Sequence, residues 1–399
     1  MRILLATAGS RGDVEPFVAL GERARAAGHD VRLVAPDNSG ADTGELDVAS
    51  MGVDYSALIE AQGVSIAAAI RNYRTVVRPL MRSVIVEGAR AAFEYRPDVI
   101  VWHPKVLSAP IVADALGIPH ALVEIVPALT PTRAFPAAGT VPGSLGPLNR
   151  LTYRAAAAAE SMFRQDLAEA RSLVGGRRGR VSQPAATLMP ISPAILRRPD
   201  DWPSTVHLTG RWARESGGDA SDTGDPALEA FLEGGPYLYA GFGSMATTGA
   251  ERRGRAVVAA ARARGLRAVI ALGLGGIVVP RDLHGDDLFV ADFVPHSRVL
   301  PGATAAVHHG GIGTVQAATA AGTPSIIVPF IADQPFWGAR LHDAGLAPAP
   351  IRQRALSASR LGAALADADL CRPRVTEAAR AMAEEDGTNT ALSVLTSLR

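Results

Sequence analysis

One cysteine and one lysine stand in a chain of 399 residues. The lone Cys371 excludes an intramolecular disulfide and any cysteine-cluster metal site, and a cytoplasmic setting is expected. Lys105 is the single lysine among 40 Lys+Arg. With so much alanine and arginine this reads as a GC-rich composition, and no mechanism is drawn from it. An excess of either charge is lacking too, because 40 Lys+Arg meet 39 Asp+Glu, which removes the long-range field of a nucleic-acid binder. Long apolar runs are missing: the longest weakly polar stretch, 268–280, is interrupted by glycine and falls short of the roughly 20 residues of a membrane span. Arg2-Ile-Leu-Leu-Ala-Thr-Ala8 has no basic leader or cleavage site, so it reads as a first strand, and stable membrane insertion is not expected.

What is present is the rhythm of an α/β protein. At this length two α/β domains are expected, and a hydrophobic share of 48% is enough for two cores. An apolar run over 3–8 leads into Gly9-Ser-Arg-Gly-Asp13, then into an amphipathic helix whose first turn tolerates Pro16. Gly28 ends that helix before a second strand over 31–35, so the first βαβ unit is complete and the strands are parallel. Further strands are expected at 99–102 and 120–125, with helical stretches over 56–95 and 148–174 that suit a variable ligand pocket. Between 214 and 225 the apolar period vanishes into a Gly/Ser/Asp run, read as a linker. The expected organisation is therefore a domain over 1–213, a linker over 214–225, a second domain over 226–380 and a closing helix over 381–399. In the second half, strands are expected at 237–240, 267–271, 288–292, 304–307 and 325–328, and helices at 250–264 and 313–321. Three more helical segments close the chain, at 359–368, 373–384 and 388–398.

Chemistry concentrates in Val307-His-His-Gly-Gly-Ile-Gly-Thr314. A strand delivers two histidines to its carboxyl end and glycines turn the backbone. A helix then opens with its free N–H groups facing back, which is how a diphosphate is cradled. Gly310, Gly311, Gly313 and Thr314 would form the cradle with His309 beside it; a ligand-free turn has the same local pattern. Gly243 and Ser244 end another strand and point to the same anion. Asp333 and Gln334 offer acceptor and donor together, as sugar hydroxyls require.

These blocks resemble the donor half of the family 1 glycosyltransferases, whose GT-B fold has two facing Rossmann-like domains across a cleft. The opening Gly9-Ser-Arg-Gly-Asp-Val-Glu-Pro16 is similar to the bacterial branch that includes glycopeptide-antibiotic and sterol glycosyltransferases. The resemblance implies a donor site in which His309 binds the α-phosphate, Gly311, Gly313, Thr314 and Ser244 surround the diphosphate, and Asp333 and Gln334 hold the sugar. Phe293 would stack on the base, with Val294 and His296 at its edge; a buried core aromatic is the competing reading for Phe293. Plant members carry a ribose-binding glutamate where this chain has Ala317, a loss that costs a deoxyribose donor nothing, and Gln316 is a possible substitute.

The histidine base of many members is absent from the first loop, and Asp13 takes its place; an aspartate there also suits a helix N-cap. Arg11 would orient Asp13 or reach a phosphate. Ser10 is assigned to the acceptor and Glu124 to the acceptor or equally to a structural ion pair, and His103 and His120 to the scaffold. Asp367-Ala-Asp369 looks like a metal signature but lies in a helical stretch, so no metal and no cofactor are expected. The implied activity is an inverting hexosyl or deoxyhexosyl transfer from a UDP or dTDP sugar to a hydrophobic small-molecule acceptor, by a monomer or homodimer. A nucleotide-sugar epimerase and a non-catalytic auxiliary partner are the competing readings.

Overall fold

The computed structural model describes residues 1–54, 72–141, 143–154, 160–176, 179, 181–214, 225–243 and 248–398. Ser244, most of the 214–225 linker and part of the expected 56–95 helical stretch lie outside them.

The amino-terminal half is a seven-stranded parallel sheet of β1 (Arg2–Ala6), β2 (Asp30–Asp37), β3 (Asp47–Asp54), β4 (Val99–Trp102), β5 (His120–Val123), β6 (Ala186–Met189) and β7 (Val206–Leu208). The spatial order is β3-β2-β1-β4-β5-β6-β7. The carboxyl half adds β8 (Tyr237–Gly241), β9 (Arg267–Ala271), β10 (Leu288–Ala291), β11 (Ala303–His308) and β12 (Ser325–Ile327), in the order β10-β9-β8-β11-β12. Strand order reverses between β1 and β4 in one sheet and between β8 and β11 in the other. At such reversals the crossover helices leave to opposite faces and a crevice opens at the strands' carboxyl ends.

Strands buried on both faces were legible as continuous apolar runs: all four residues of β4 are buried and β1 exposes only Arg2. The sequence reading passed over β3, β6 and β7. β3 is an edge strand, largely solvated; its Ala-Ser-Met-Gly-Val-Asp alternates over 49–54, but Gly52 and the flanking Asp47 and Asp54 break it into a signal too short to stand out. Two segments expected at 359–368 and 373–384 are one helix, Ala358–Ala383, with Pro373 inside it. The amide that proline removes costs one rung, while Leu361, Leu365, Val375 and Met382 remain buried and hold the helix through the gap.

The last helix, Gly387–Ser397, packs on α1 (Arg11–Ala26), burying Ala391, Leu392 and Leu395 with Phe17 and Leu20, and Arg23 donates to Asn389 at 3.2 Å. One apolar cluster runs from Val14 and Phe17 through Phe135 to Ile312, Val315, Phe336 and Trp337, so the two sheets share a core. Phe135 meets Phe336 edge-on with centroids 5.4 Å apart. A polar suture crosses beside it: Gln316 accepts from the Ser192 N–H at 3.0 Å and donates to the Pro190 carbonyl at 3.0 Å. Ser192 Oγ also donates to Glu385 at 2.6 Å.

Because Gln316 is only 6% exposed, truncating it leaves a donor and an acceptor without partners in a dry interface. Gln316→Ala is expected to lower unfolding stability by about 1–3 kcal/mol, measured by urea denaturation. A loss below about 0.5 kcal/mol would mean that water replaces the amide without cost.

Candidate active site

Both crevices are furnished with polar groups, and the two sets face each other. In the first, α1 begins right after β1, and Asp13 sits in its opening turn. Its carboxylate turns back over the loop, where Oδ2 accepts the Ser10 N–H at 3.0 Å; the N-cap itself is Ser10, so the N-cap expectation for Asp13 is corrected to the third helical position of a capping box. Gly9 makes room for this. Its φ is +143°, and a Cβ there would lie 1.9 Å from Asp13 Oδ2.

β4 ends on the other side of the reversal, and the loop behind it brings His103 Nε2 to 3.3 Å from Asp13 Oδ1 and Lys105 Nζ to 3.0 Å from Oδ2. His103, assigned to the scaffold, and the lysine set aside as composition thus both contact Asp13. One signal pointed to them: His103-Pro-Lys105 directly follows the strand that must flank β1 in a doubly wound sheet. The Lys105 N–H donates to His103 Nδ1 at 3.2 Å, which leaves Nε2 to carry the imidazole proton toward Asp13. Burial raises the proton affinity of Asp13, but Lys105 and His103 outweigh it and hold the carboxyl well below its usual range. Burial likewise keeps His103 neutral, against the pull of Asp13.

In the second crevice, β11 delivers the two histidines differently from expectation. His308 is fully buried and its Nδ1 accepts the Gly310 N–H at 3.1 Å, fixing the turn. His309 emerges at the strand end, half-buried, and its ring lies over the start of the helix Ile312–Ala320. Burial, followed by the field of His296, lowers the His309 pKa to about 4, so the ring is neutral near pH 7. Gly310 takes φ +91° where a Cβ would meet Ile327 at 2.7 Å. Gly313 faces open space and Thr314 is half-exposed, so the amides of the first helical turn are open to an anion. Gly243, after β8, borders the His309 ring.

The remaining expected residues divide. Phe293 is 47% exposed, which removes the core-aromatic reading, and Arg11 lies over its ring at 5.1 Å while donating to Glu15 at 2.6 Å. Val294 is corrected: it is buried among Tyr237, Tyr239 and Val299. His296 is half-buried against the Tyr239 hydroxyl at 2.9 Å. The Asp333-Gln334 pair is split. Asp333 is half-buried, accepts from Trp337 Nε1 at 2.9 Å, and has its proton affinity raised by burial and by Asp13, with Lys105 opposing. Gln334 is buried and its amide oxygen accepts the N–H groups of Phe330 and Ile331, so it closes that loop.

Glu124 is corrected as well. It is fully buried, it accepts from the N–H groups of Ala128, Leu129 and Thr130 and from the Thr130 hydroxyl, and it ties down the 124–130 loop with no face toward an acceptor. Gln316, expected as a stand-in for a ribose ligand, has its amide engaged in the interdomain suture. Asp369 pairs with Arg264 on the outer surface. Among the described residues no cluster of His, Cys, Asp or Glu could hold a metal ion, and no helix is long and apolar enough to cross a membrane. Of the expected acceptor region, Val84, Ile85 and Val86 pack into the core, while Leu145, Leu148, Leu151 and Met162 are exposed.

Residues 3–119 match the N-terminal domain of glycosyltransferase family 28, and residues 281–391 match the C-terminal domain of erythromycin biosynthesis protein CIII-like proteins. O-mycaminosyltylonolide 6-deoxyallosyltransferase of Streptomyces fradiae is 36% identical over 384 residues, covering 88% of this chain and 86% of that protein. The chain belongs to the family 1 glycosyltransferases. Solved structures share its GT-B fold: the glycotransferase of kitacinnamycin has a TM-score of 0.72 at 18% identity, with 100% of this chain and 98% of that one covered. The glycosyltransferase VinC, in complex with dTDP, has a TM-score of 0.66 at 19% identity, with 100% and 99% covered. This transferase thus carries its family's fold with an Asp13–His103–Lys105 cluster at the first switch point.

Gly9→Ala is expected to cost about 1–3 kcal/mol, since it combines a left-handed backbone position with a clash on Asp13. Part of that cost should vanish in the Gly9→Ala/Asp13→Ala double variant, where the clashing oxygen is gone. Urea midpoints of the four proteins in the cycle test it, and strict additivity would place the Asp13 carboxylate away from Gly9.

Proposed function

We propose that this glycosyltransferase moves a hexose or deoxyhexose from a thymidine diphosphate sugar, in preference to the uridine one, onto a hydroxyl of a hydrophobic natural product, with inversion and without a metal. The observation that carries the reading is the facing of Asp13 by the helix-terminal cradle across one cleft, with Asp333 near enough to both Asp13 and Lys105 to alter its own ionisation.

Three donors hold the Asp13 carboxylate. A carboxylate offers about four acceptor positions, so one remains on Oδ1 for an acceptor hydroxyl. Asp13 is a weak base, and proton transfer comes late, once the attacking oxygen has begun to bond the anomeric carbon and has become acidic. The diphosphate then departs toward the open amides at Ile312–Thr314, where the helix dipole and a neutral His309 N–H stabilise it without ion-pairing. That supply of donors is the reason a metal is not needed in this proposal.

Support for a deoxyribose donor comes from positions 316 and 317: the Gln316 amide is engaged elsewhere and Ala317 has no polar side chain. VinC, whose fold is shared, was solved with dTDP. A hydrophobic acceptor is in keeping with the exposed Leu145, Leu148, Leu151 and Met162, and with a relative named for transfer to O-mycaminosyltylonolide.

Calorimetric titration with dTDP and UDP tests the donor half. Binding should be lost in His309→Ala and kept in Asp13→Asn, with dTDP the tighter ligand. Turnover by Asp13→Asn should fall by about 100-fold or more, in line with removal of a general base. Failure of wild-type protein to bind either nucleotide would overturn the donor site, and equal affinities would overturn the deoxyribose preference.

A further inference from the structure

We propose that Lys105 is a positioning residue for the transfer step: its ammonium, 3.0 Å from Asp13 Oδ2, aims the base into the cleft and keeps it ionised opposite a second carboxylate, Asp333, while leaving Oδ1 open. This rests on Asp13 being the base.

The charged groups around Asp13 come from three elements. On its own helix, Arg11 is paired with Glu15 at 2.6 Å. From the loop behind β4 come His103 and Lys105. From the loop before the helix Gln334–Asp343 comes Asp333, which feels both Asp13 and Lys105. Two carboxylates sharing a partly dry space resist being ionised together, and one of them takes up a proton unless a cation lies between them. His103 does not fill that role, since it is 6% exposed and its Nδ1 is already an acceptor. Among the described residues, the ammonium is the full positive charge bonded to Asp13.

Arginine occupies every other basic Lys/Arg position of the sequence. A guanidinium is a planar fork that tends to engage both oxygens of a carboxylate, whereas an ammonium is a point charge that can settle on one. At this position a fork would cover the lone pair on Oδ1 that must receive the hydroxyl proton. Charge and shape are therefore separate requirements, and two substitutions separate them.

The test is the pH profile of kcat/KM, which reports the free enzyme, for wild type, Lys105→Met, Lys105→Arg and Asp13→Asn, with dTDP titration of each as a check on the donor site. Lys105→Met should move the acid limb upward by about one pH unit or more, because Asp13 then ionises against burial and Asp333 without its counter-charge. Lys105→Arg should leave the limb in place and lower kcat by about tenfold or more through loss of the base's open lone pair. An unmoved limb in Lys105→Met, including one preserved by a proton taken up on His103, overturns the proposal. So does a fall in dTDP affinity of about tenfold in both lysine variants, which would make Lys105 a phosphate ligand. Wild-type turnover in Asp13→Asn would remove the base assignment itself, an outcome separate from any result at Lys105. Should Lys105→Met fail to fold, reductive methylation with labelled formaldehyde gives wild-type protein a single lysine side-chain signal, from Lys105. The lysine signal should shift in Asp13→Asn, and an unchanged signal overturns the pairing.

Discussion

A parallel sheet whose strand order reverses cannot cover its own carboxyl edge at the point of reversal, because the connecting helices on either side leave toward opposite faces. This chain makes that reversal twice, between β1 and β4 and between β8 and β11. The groups proposed to carry the chemistry sit at the two gaps: Asp13, His103 and Lys105 at the first, Gly243, His309 and the start of the helix Ile312–Ala320 at the second. The fold needs no dedicated pocket wall to bring them together, only the shared core that faces one sheet's carboxyl edge toward the other's.

The electrostatics follow from how dry those gaps are. Burial by itself raises the proton affinity of Asp13 and Asp333 alike, yet only Asp333 ends above its ordinary value, and the difference is the bonded ammonium and imidazole beside Asp13. On the donor side burial has the opposite use. It strips charge from His309, so at the proposed donor site the groups offered to an anion are backbone amides and one neutral N–H rather than a buried cation.

Holding the two edges face to face is the work of an interface that is apolar in the middle and polar along one seam. Phe135 and Phe336 anchor the middle; Gln316, Ser192 and Glu385 form the seam, which continues into the last helix on α1. The same seam engages Gln316, so a residue expected as a ribose ligand serves domain geometry instead.

Local sequence determined the repeating strand-turn-helix order, the glycine turns at 9–13 and 309–314, and the family, since each depends on residues close together in the chain. It also placed Asp13, because a carboxylate opening the first helix has few places to point. It left His103 as scaffold and Lys105 as composition, and it read Val294 and Glu124 toward ligands where the fold buries both. Those errors share one cause. Whether a polar side chain faces the cleft, ties a loop or joins a core depends on what the fold puts within about 3 Å of it, and the partners that decided these cases lie across a turn, across a sheet or in the other domain. Only the tertiary structure brings residue 105 to residue 13, and with it the charge on which the site's ionisation turns.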